Sequence, residues 1–333
     1  ASIGRGCAAR EQGAPPGVAH LQTVLRAVRG MRAGRNGTLY GNVATTQPYR
    51  ESLRWEEGVA ESQALLTKAR PIHVADREAD SYALLARMQM DGGRFVVRIR
   101  HDRKARLATE GDGEVNWSRL KELVSASESC LEREVPLSRR RAKTAPRASR
   151  EHPSRAERIA KLRFASTRLE LRRPRYFDDA LPPTLTVNCV RVYEVDQPQD
   201  QEAVEWLLFT TEPTTTVEQV ARVVDLYRAR WVIEEFFKAL KSGCIYEERQ
   251  LESRRALLNA LAIFLPIACH MLWLRSRAQH SPTSPPTEVL TMTQIQCLRP
   301  FALRPIPYRP TARAVLLAIW GLAGHLQTTG DPR

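Results

Sequence analysis

Apolar residues at helical spacing dominate one stretch in the second half of this chain of 333 residues. Between Thr215 and Gly243, large apolar side chains recur every three or four positions and form one stripe, namely Val223, Leu226, Ile233, Phe237 and Leu240. Thr215 and Glu218 have the spacing of a capping box, which predicts where the helix starts, and Gly243 predicts where it ends. The pattern therefore predicts one long helix with a buried apolar face.

Four polar side chains accompany that stripe, at Tyr227, Arg230, Glu234 and Lys241. Their offsets of 3, 4 and 7 place them on one side of an uninterrupted helix. The simplest interpretation is a solvated face with an ion pair between Arg230 and Glu234. The alternative is a functional surface, since a carboxylate, two cations and a phenol would then point in the same direction.

An excess of basic residues indicates which class of molecule this chain binds. The chain has 51 Lys and Arg against 37 Asp and Glu, which leaves a net charge of +14. This balance favours a polyanion, nucleic acid before a membrane surface. The six cysteines are scattered without a CxxC pair, which argues against a zinc site or a disulfide framework and favours reduced thiols in the cytoplasm.

Two short apolar runs with a helical pattern between them predict a βαβ unit. Arg70 to Asp76 and Arg94 to Arg100 have the composition of strands, and Arg77 to Met90 has that of an amphipathic helix. This order predicts a parallel pair of strands. Asp76 ends the first strand, where a carboxylate serves either as a helix cap or as a ligand.

Further strands and helices follow along the chain. Strand patterns cover Lys161 to Arg172, Thr184 to Val195 and Glu205 to Thr210. Arg139 to Arg158 is rich in arginine and poor in apolar residues, so we expect a loop or a DNA-contacting arm there. The apolar run from Leu257 to Leu274 contains a proline, and we expect a buried, Pro-kinked helix in preference to a membrane span.

Two segments resemble motifs of the bacterial insertion-sequence transposases called the IS-four family. The segment YRARWVIEEFFKALKSG matches the Y-R-E-K signature of that family at every position, through the four polar residues named above. The segment HVADREADSYALL is similar to the second conserved block of the family. The resemblance covers roughly Glu51 to Arg275. It implies an α/β fold with a ribonuclease-H-like core, an inserted β-subdomain and a C-terminal helical region.

The resemblance also implies a domain division. We expect a catalytic core from residues 51–100 and 202–253, an inserted β-rich subdomain with a basic arm over 101–201, and a helical, dimerisation-like region over 254–333, after a poorly defined segment 1–50. Asp76 and Glu234 lie 158 positions apart, which is more than a bare core of this type needs. That separation by itself predicts an insertion.

In the family, three carboxylates, Asp, Asp and Glu, hold two Mg²⁺ ions, for which Mn²⁺ is a substitute. The resemblance implies that Asp76 is the second of these carboxylates and Glu234 the third. It also implies that Tyr227, Arg230 and Lys241 hold the phosphates at the end of the transposon. The DNA-contacting set and the metal ligands would then share one surface.

The resemblance assigns two further DNA contacts. Arg98 stands where the family has an arginine that contacts a phosphate, although a solvent-facing strand residue is an equal alternative. Trp206 would stack on a base flipped out of the duplex, and the alternative is a core residue. Glu78 and Asp80 are interpreted as acids at a helix N-terminus, favoured by its dipole, and not as ligands.

The first catalytic Asp of the family has no counterpart, because no aspartate precedes Asp76. We therefore expect the product of a truncated or frameshifted gene, which would not cleave DNA on its own. The first functional hypothesis is a cut-and-paste transposase in the bacterial cytoplasm, associated with the nucleoid and not with a membrane. It would act on double-stranded DNA with terminal inverted repeats, as a homodimer joined through residues after about 255.

Two other functions remain open. The first is a catalytically dead DNA-binding remnant, or an inhibitor that pairs with a full-length transposase. The second is a general basic nucleic-acid-binding protein outside the family, which the matching segments disfavour.

Overall fold

A computed structural model describes residues 51–67, 69–108, 116–139, 154–177, 180–199, 201–244, 246 and 250–322. They belong to two compact units, the first ending at Arg230 and the second beginning at Trp231. The predictions for residues 1–50 and for most of the arm between Arg139 and Arg158 lie outside the described residues. The functional domain division stays a prediction.

The first unit is a mixed sheet with helices packed on both faces. Its described α-helices are α1 (Glu51–Leu65), α2 (Tyr82–Met90), α3 (Leu120–Ser125) and α4 (Val217–Ala229). Its described strands are β1 (Ile72–Ala75), β2 (Arg94–Arg98), β3 (Lys104–Leu107), β4 (Ser118–Arg119), β5 (Ser129–Leu137), β6 (Arg158–Arg172), β7 (Thr184–Val195) and β8 (Glu205–Thr210). The sheet order is β1-β2-β8-β7-β6-β3-β4, and β5 also pairs with β6.

The strands β1 and β2 with α2 between them are the predicted βαβ unit. Ile72 pairs with Arg94 and Ala75 with Val97 in parallel register, which confirms the predicted parallel pair. A short 3-10 turn over Arg77–Ala79 lies between β1 and α2. The other strand pairs in the described part of the sheet are antiparallel.

Alternation of side chains along the strands builds one core on each face of the sheet. Phe95 and Val97 pack in the cluster that includes residues of α2 and α3. Val96 and Leu208 pack in the cluster that includes residues of α4. Since successive strand residues point to opposite faces, Arg98 falls on the same face as Val96, beneath α4. Strand periodicity thus brings a charged side chain to the α4 face, at the end of β2.

The strands β6, β7 and β8 match the predicted strand patterns. The sequence pattern did not predict β3 or β5. The middle of β5 carries Glu132, Arg133 and Glu134, and this strand pairs with β6 over most of its length. Charged residues are typical of strands near a sheet edge, where they discourage pairing with another chain. The same charges hide the apolar alternation that would have identified the strand.

The helix predicted from Thr215 to Gly243 is wrong as a single element. The structure has three successive segments there, namely α4, α5 (Val232–Lys238) and a π-helical turn (Ala239–Gly243). An argument from offsets of 3, 4 and 7 requires one uninterrupted hydrogen-bond ladder. The prediction that all four polar residues share one side of one helix therefore loses its basis.

The two ends of α4 explain the discrepancy. At its C-terminal end, the N–H of Arg230 bonds to the carbonyl of Tyr227 at 3.1 Å, which is the spacing of a 3-10 turn and not of an α-helix. At its start, Thr216 and Gln219 form the capping box, one position after the predicted one. Thr216 takes the cap because its backbone is extended there.

The second unit is helical in its described part. It contains α5, α6 (Arg254–His280), α7 (Met292–Leu298) and α8 (Ala312–Leu322). Pro266 lies inside α6, as predicted. By length and composition alone, α6 could cross a membrane, which is weak evidence for a span. Only 22% of its most apolar window is buried, so the prediction of a buried helix is wrong.

Candidate active site

Asp76 lies at the carboxyl end of β1, as the sequence predicts. Its Oδ1 accepts a hydrogen bond from the backbone N–H of Glu78 at 3.2 Å and caps the 3-10 turn. Its Oδ2 lies 3.7 Å from Nη1 of Arg230, and the side chain remains 40% exposed. Asp76 is therefore a cap, and it also keeps an oxygen open to a ligand, so the two interpretations are compatible.

Arg230 reaches Asp76 from the end of α4, where its side chain is 21% exposed. A separation of 3.7 Å between partly exposed groups makes a weak ion pair, because solvent screens the charges. The contact therefore contributes little to folding. It places a guanidinium beside the carboxylate, where an anionic ligand such as a phosphate would meet it.

Two aromatic rings and a second arginine lie on the same face of the sheet. The guanidinium of Arg98 lies 5.9 Å from the ring centroid of Trp206, and its Nη2 donates to the carbonyl of Glu205 at 3.3 Å. The ring of Trp206 meets that of Tyr227 at 65°, with centroids 5.4 Å apart. Tyr227 is buried in the core and Trp206 is half-buried against it. The structure thus brings these three predicted site residues together.

The half-buried position of Trp206 bears on its assignment. Its ring contributes to the core on the α4 face, which supports the packing interpretation. Its remaining exposure, beside the Arg98 guanidinium, is compatible with stacking on a base. The base-stacking role stays a prediction.

Sequence reasoning missed Arg77, which adds a further positive charge. Desolvation is the largest cause that lowers the pKa of its guanidinium, and the charge of nearby Arg98 follows. Arg100 acts in the same direction, whereas Tyr227 and Glu202 oppose it. This surface holds cations close enough to disfavour one another, and an anionic ligand would relieve that repulsion. In the sequence, the arginine directly after Asp76 in the D-R-E-A-D segment could have indicated this additional positive charge.

Asp80 makes a buried clamp that the sequence interpretation did not foresee. Its side chain is fully buried, and its Oδ2 accepts hydrogen bonds from the backbone N–H groups of Arg100 at 2.6 Å and His101 at 2.8 Å. The guanidinium of Arg103 pairs with Oδ1 and lies over the ring of Phe209. The prediction that Asp80 acts through a helix dipole is wrong, because its carboxylate fastens the loop after β2 to the 3-10 turn.

The remaining predicted residues belong to the second unit. Glu234 lies in the first turn of α5 and Lys241 in the π-helical turn. Beside Glu234, Glu235 pairs with Arg275 of α6 at 3.3 Å. The sharing of a metal by Asp76 and Glu234 stays a prediction.

The carboxylate of Asp76 suits a divalent metal in type, because hard oxygen ligands are those that Mg²⁺ prefers. The number of ligands is smaller than such a site needs. In the described ranges, no three or more His, Cys, Asp and Glu side chains come together as a metal-binding group. The described residues around Asp76 therefore do not form a complete metal site by themselves.

A comparison with known protein families gives a match over most of this chain. The model of a transposase DDE domain matches residues 38–272, a range that includes all of the predicted site residues. The match covers well over half of the 333 residues. The chain therefore belongs to the family of transposase DDE domains, which are enzymes of DNA transposition.

Proposed function

We propose that this chain is a transposase of an insertion sequence that binds double-stranded DNA at terminal inverted repeats. In the complete reaction, DNA at the element end is cleaved and joined to a target by cut-and-paste transposition. The observation that carries the proposal is the position of Asp76 at the carboxyl end of β1 with the Arg230 guanidinium beside it. Arg98 and Trp206 lie on the face of the sheet that α4 covers.

Each residue has a role in this proposal. Arg98, Arg230 and Lys241 neutralise backbone phosphates of the element end, and the Tyr227 hydroxyl adds a hydrogen bond. Such contacts fix the position of the scissile bond without reading its sequence. Trp206 stacks on a base that leaves the duplex.

Asp76 and Glu234 would hold Mg²⁺, with Mn²⁺ as a substitute. Ions held there would supply activation of an attacking water or 3′-hydroxyl and stabilisation of the leaving oxygen. The chain itself would supply the two carboxylates, and it keeps the guanidinium of Arg230 next to the carboxylate of Asp76. Measuring Mn²⁺ binding by its paramagnetic signal tests Asp76 without any need for cleavage. The variant Asp76→Asn should bind Mn²⁺ at least several-fold more weakly, whereas an unchanged affinity contradicts the assignment.

The fold supports the proposal in outline. A parallel β1–β2 pair, antiparallel neighbours and helices on both faces are compatible with a ribonuclease-H-like core that contains an inserted β-subdomain. Ile263 and Ile267 expose an apolar strip on α6, which supports a homodimer formed through the C-terminal helices. A synaptic complex of two DNA ends needs two protomers.

Binding to the element end can be tested at Arg98. The variant Arg98→Gln should weaken binding to a terminal-repeat duplex and reduce the salt slope by about one. Arg87 provides a matched control, since it is a surface arginine of α2, on the opposite face of the sheet, paired with Glu56. If Arg87→Gln and Arg98→Gln have equal effects, the assigned face is wrong.

The second candidate function is a catalytically dead remnant or an inhibitor of a full-length transposase. In this function the chain would bind the element end without cleaving it. A strand-cleavage assay with Mg²⁺ or Mn²⁺ on a terminal-repeat substrate separates the two functions, and we expect binding without cleavage by this chain alone. Robust cleavage that is lost in Glu234→Gln and kept in Glu235→Gln would establish the active enzyme.

A further inference from the structure

A long segment of the second unit carries arginines and no acidic residue. Between positions 289 and 330 the sequence has no Asp or Glu, and it has four arginines, at Arg299, Arg304, Arg309 and Arg313. All four fall within 15 consecutive positions. Such a run concentrates positive charge within a short stretch of the sequence. None of these residues belongs to the candidate active site described above.

The loop between α7 and α8 holds its own shape. Arg299 donates hydrogen bonds from Nη1 to the carbonyl of Ile306 at 2.6 Å, and from Nη2 to those of Pro307 at 2.9 Å and Tyr308 at 3.4 Å. Ile306 is 7% exposed and anchors the loop in the core of the second unit. Four prolines between positions 300 and 310 restrict the backbone further. The loop is thus organised before any partner arrives, which lowers the entropy that binding costs.

The outer surface of this loop combines aromatic and cationic side chains. Tyr308 is 92% exposed, and Phe301 is 69% exposed. Arg309, next to Tyr308, is also exposed. An exposed ring beside a guanidinium is suited to stacking on a base or sugar while the cation meets a phosphate. Lone apolar side chains at the surface need no explanation, but aromatic and cationic groups on one rigid loop do.

We propose that the loop from Arg299 to Arg309, the arginine loop, is a second nucleic-acid contact that holds the DNA backbone without sequence preference. This inference rests on the proposed function, since it assumes that the polyanion bound by this chain is DNA. A second copy of the chain fits the surface less well. A symmetric contact would place the same patch against itself, so that arginines would face arginines.

The test measures DNA binding by fluorescence anisotropy over a range of salt concentrations, with a duplex of random sequence. The double variant Tyr308→Ala, Arg309→Gln leaves Arg299 and Ile306 in place, so the loop keeps its internal bonds. We expect about tenfold weaker binding at moderate salt and a log–log salt slope less negative by about one. Arg255→Gln is the matched control, because Arg255 is an exposed arginine of the same unit outside the loop.

A terminal-repeat duplex separates this inference from the proposed function. The loop variant should lower affinity for terminal-repeat and random duplexes by the same factor, so any preference of the parent chain for the repeat should persist in the variant. If no preference for the repeat exists, the proposed function fails while the effect of the loop on random DNA stands. Unchanged random-duplex binding in the double variant overturns the inference. A changed sedimentation coefficient with unchanged DNA affinity also overturns it, in favour of a contact between copies.

Discussion

Asp76 and Asp80 belong to one short motif, D-R-E-A-D, yet their surroundings differ in almost every respect. Asp80 is fully buried and receives two backbone N–H groups and the Arg103 guanidinium. Asp76 is 40% exposed and has one backbone donor and an arginine 3.7 Å away. Both are carboxylates that contact an arginine. They differ in burial and in the number of hydrogen bonds that they accept. These differences make Asp80 a structural residue and leave Asp76 accessible to ligands.

The physical reason lies in the cost of desolvation. A fully buried carboxylate is tolerated only when its oxygens accept hydrogen bonds. Removing one of its partners then causes a large loss of stability. A half-exposed carboxylate exchanges partners with little change in free energy. Asp76 can therefore accept a metal or lie beside a phosphate, whereas Asp80 cannot leave its partners. Three predictions follow, from the largest expected effect to the smallest; the first and third test this contrast, and the second extends the desolvation argument to a buried imidazole nitrogen.

Removing the buried carboxylate should cost the most. Asp80→Ala leaves the Arg103 guanidinium buried without its counter-charge, and we expect a loss of about 3–5 kcal/mol in the free energy of unfolding. Asp76→Ala should lose less than about 1 kcal/mol, because its pair is exposed and loose. Urea unfolding followed by circular dichroism measures both. Equal losses for the two variants would remove the distinction on which the site assignment depends.

Glu212 gives a control for the position of the clamp. Its side chain is 5% exposed and pairs with Arg94 at 2.5 Å, at the opposite end of β2. Glu212→Ala should therefore destabilise the fold in the same way. Hydrogen exchange at the amides of Arg100 and His101 should accelerate far more in Asp80→Ala, since Asp80 accepts their hydrogen bonds directly. Equal acceleration in both variants would indicate only global destabilisation.

A buried imidazole nitrogen should make stability depend on pH. The Nε2 atom of His73 in β1 is buried and finds no hydrogen-bond partner in the described part of the chain, and burial lowers the pKa of His73 to about 4. The folded state then binds fewer protons than the unfolded state, so stability falls as the pH drops from about 6.5 towards 4. We expect the contribution of His73 to that loss to reach about 3 kcal/mol at pH 4.

His73→Leu should remove this part of the pH dependence while it keeps the volume of the side chain. Unfolding titrations at several pH values between 7 and 4 compare the two proteins. The difference in stability between variant and parent should grow in favour of the variant as the pH falls. A constant difference would show that His73 is protonated in the folded state as readily as in the unfolded state.

We expect the smallest effect for the exposed ion pair between Asp76 and Arg230. A double-mutant cycle on Asp76→Ala and Arg230→Ala should give a coupling energy below about 1 kcal/mol, because solvent screens both charges. The corresponding cycle on Asp80 and Arg103 should give a coupling several times larger. Raising the salt concentration should reduce the first coupling and leave the second nearly unchanged. A strong, salt-insensitive coupling for Asp76 would mean that its oxygens are not available to a ligand.

Local patterns predicted the elements around the site well. The β1–α2–β2 unit and its parallel pairing followed from composition and spacing, and so did β6, β7 and β8. The helix from Thr215 was predicted as one element, although its hydrogen-bond ladder is interrupted after Ala229. Apolar periodicity continues across that interruption, so the sequence pattern contains no signal for it.

The sequence alone therefore determined which residues end a strand or line a helix, because alternation and helical spacing are local properties of the chain. It also carried the match to a transposase family. Only the tertiary structure decided that Arg230 meets Asp76, and that Asp80 and not Asp76 is buried. Which charges meet, and which of them lose water, depends on the order of strands in the sheet and on the helix above it. Residues far apart along the chain determine these contacts and this burial, so a local sequence pattern does not predict them.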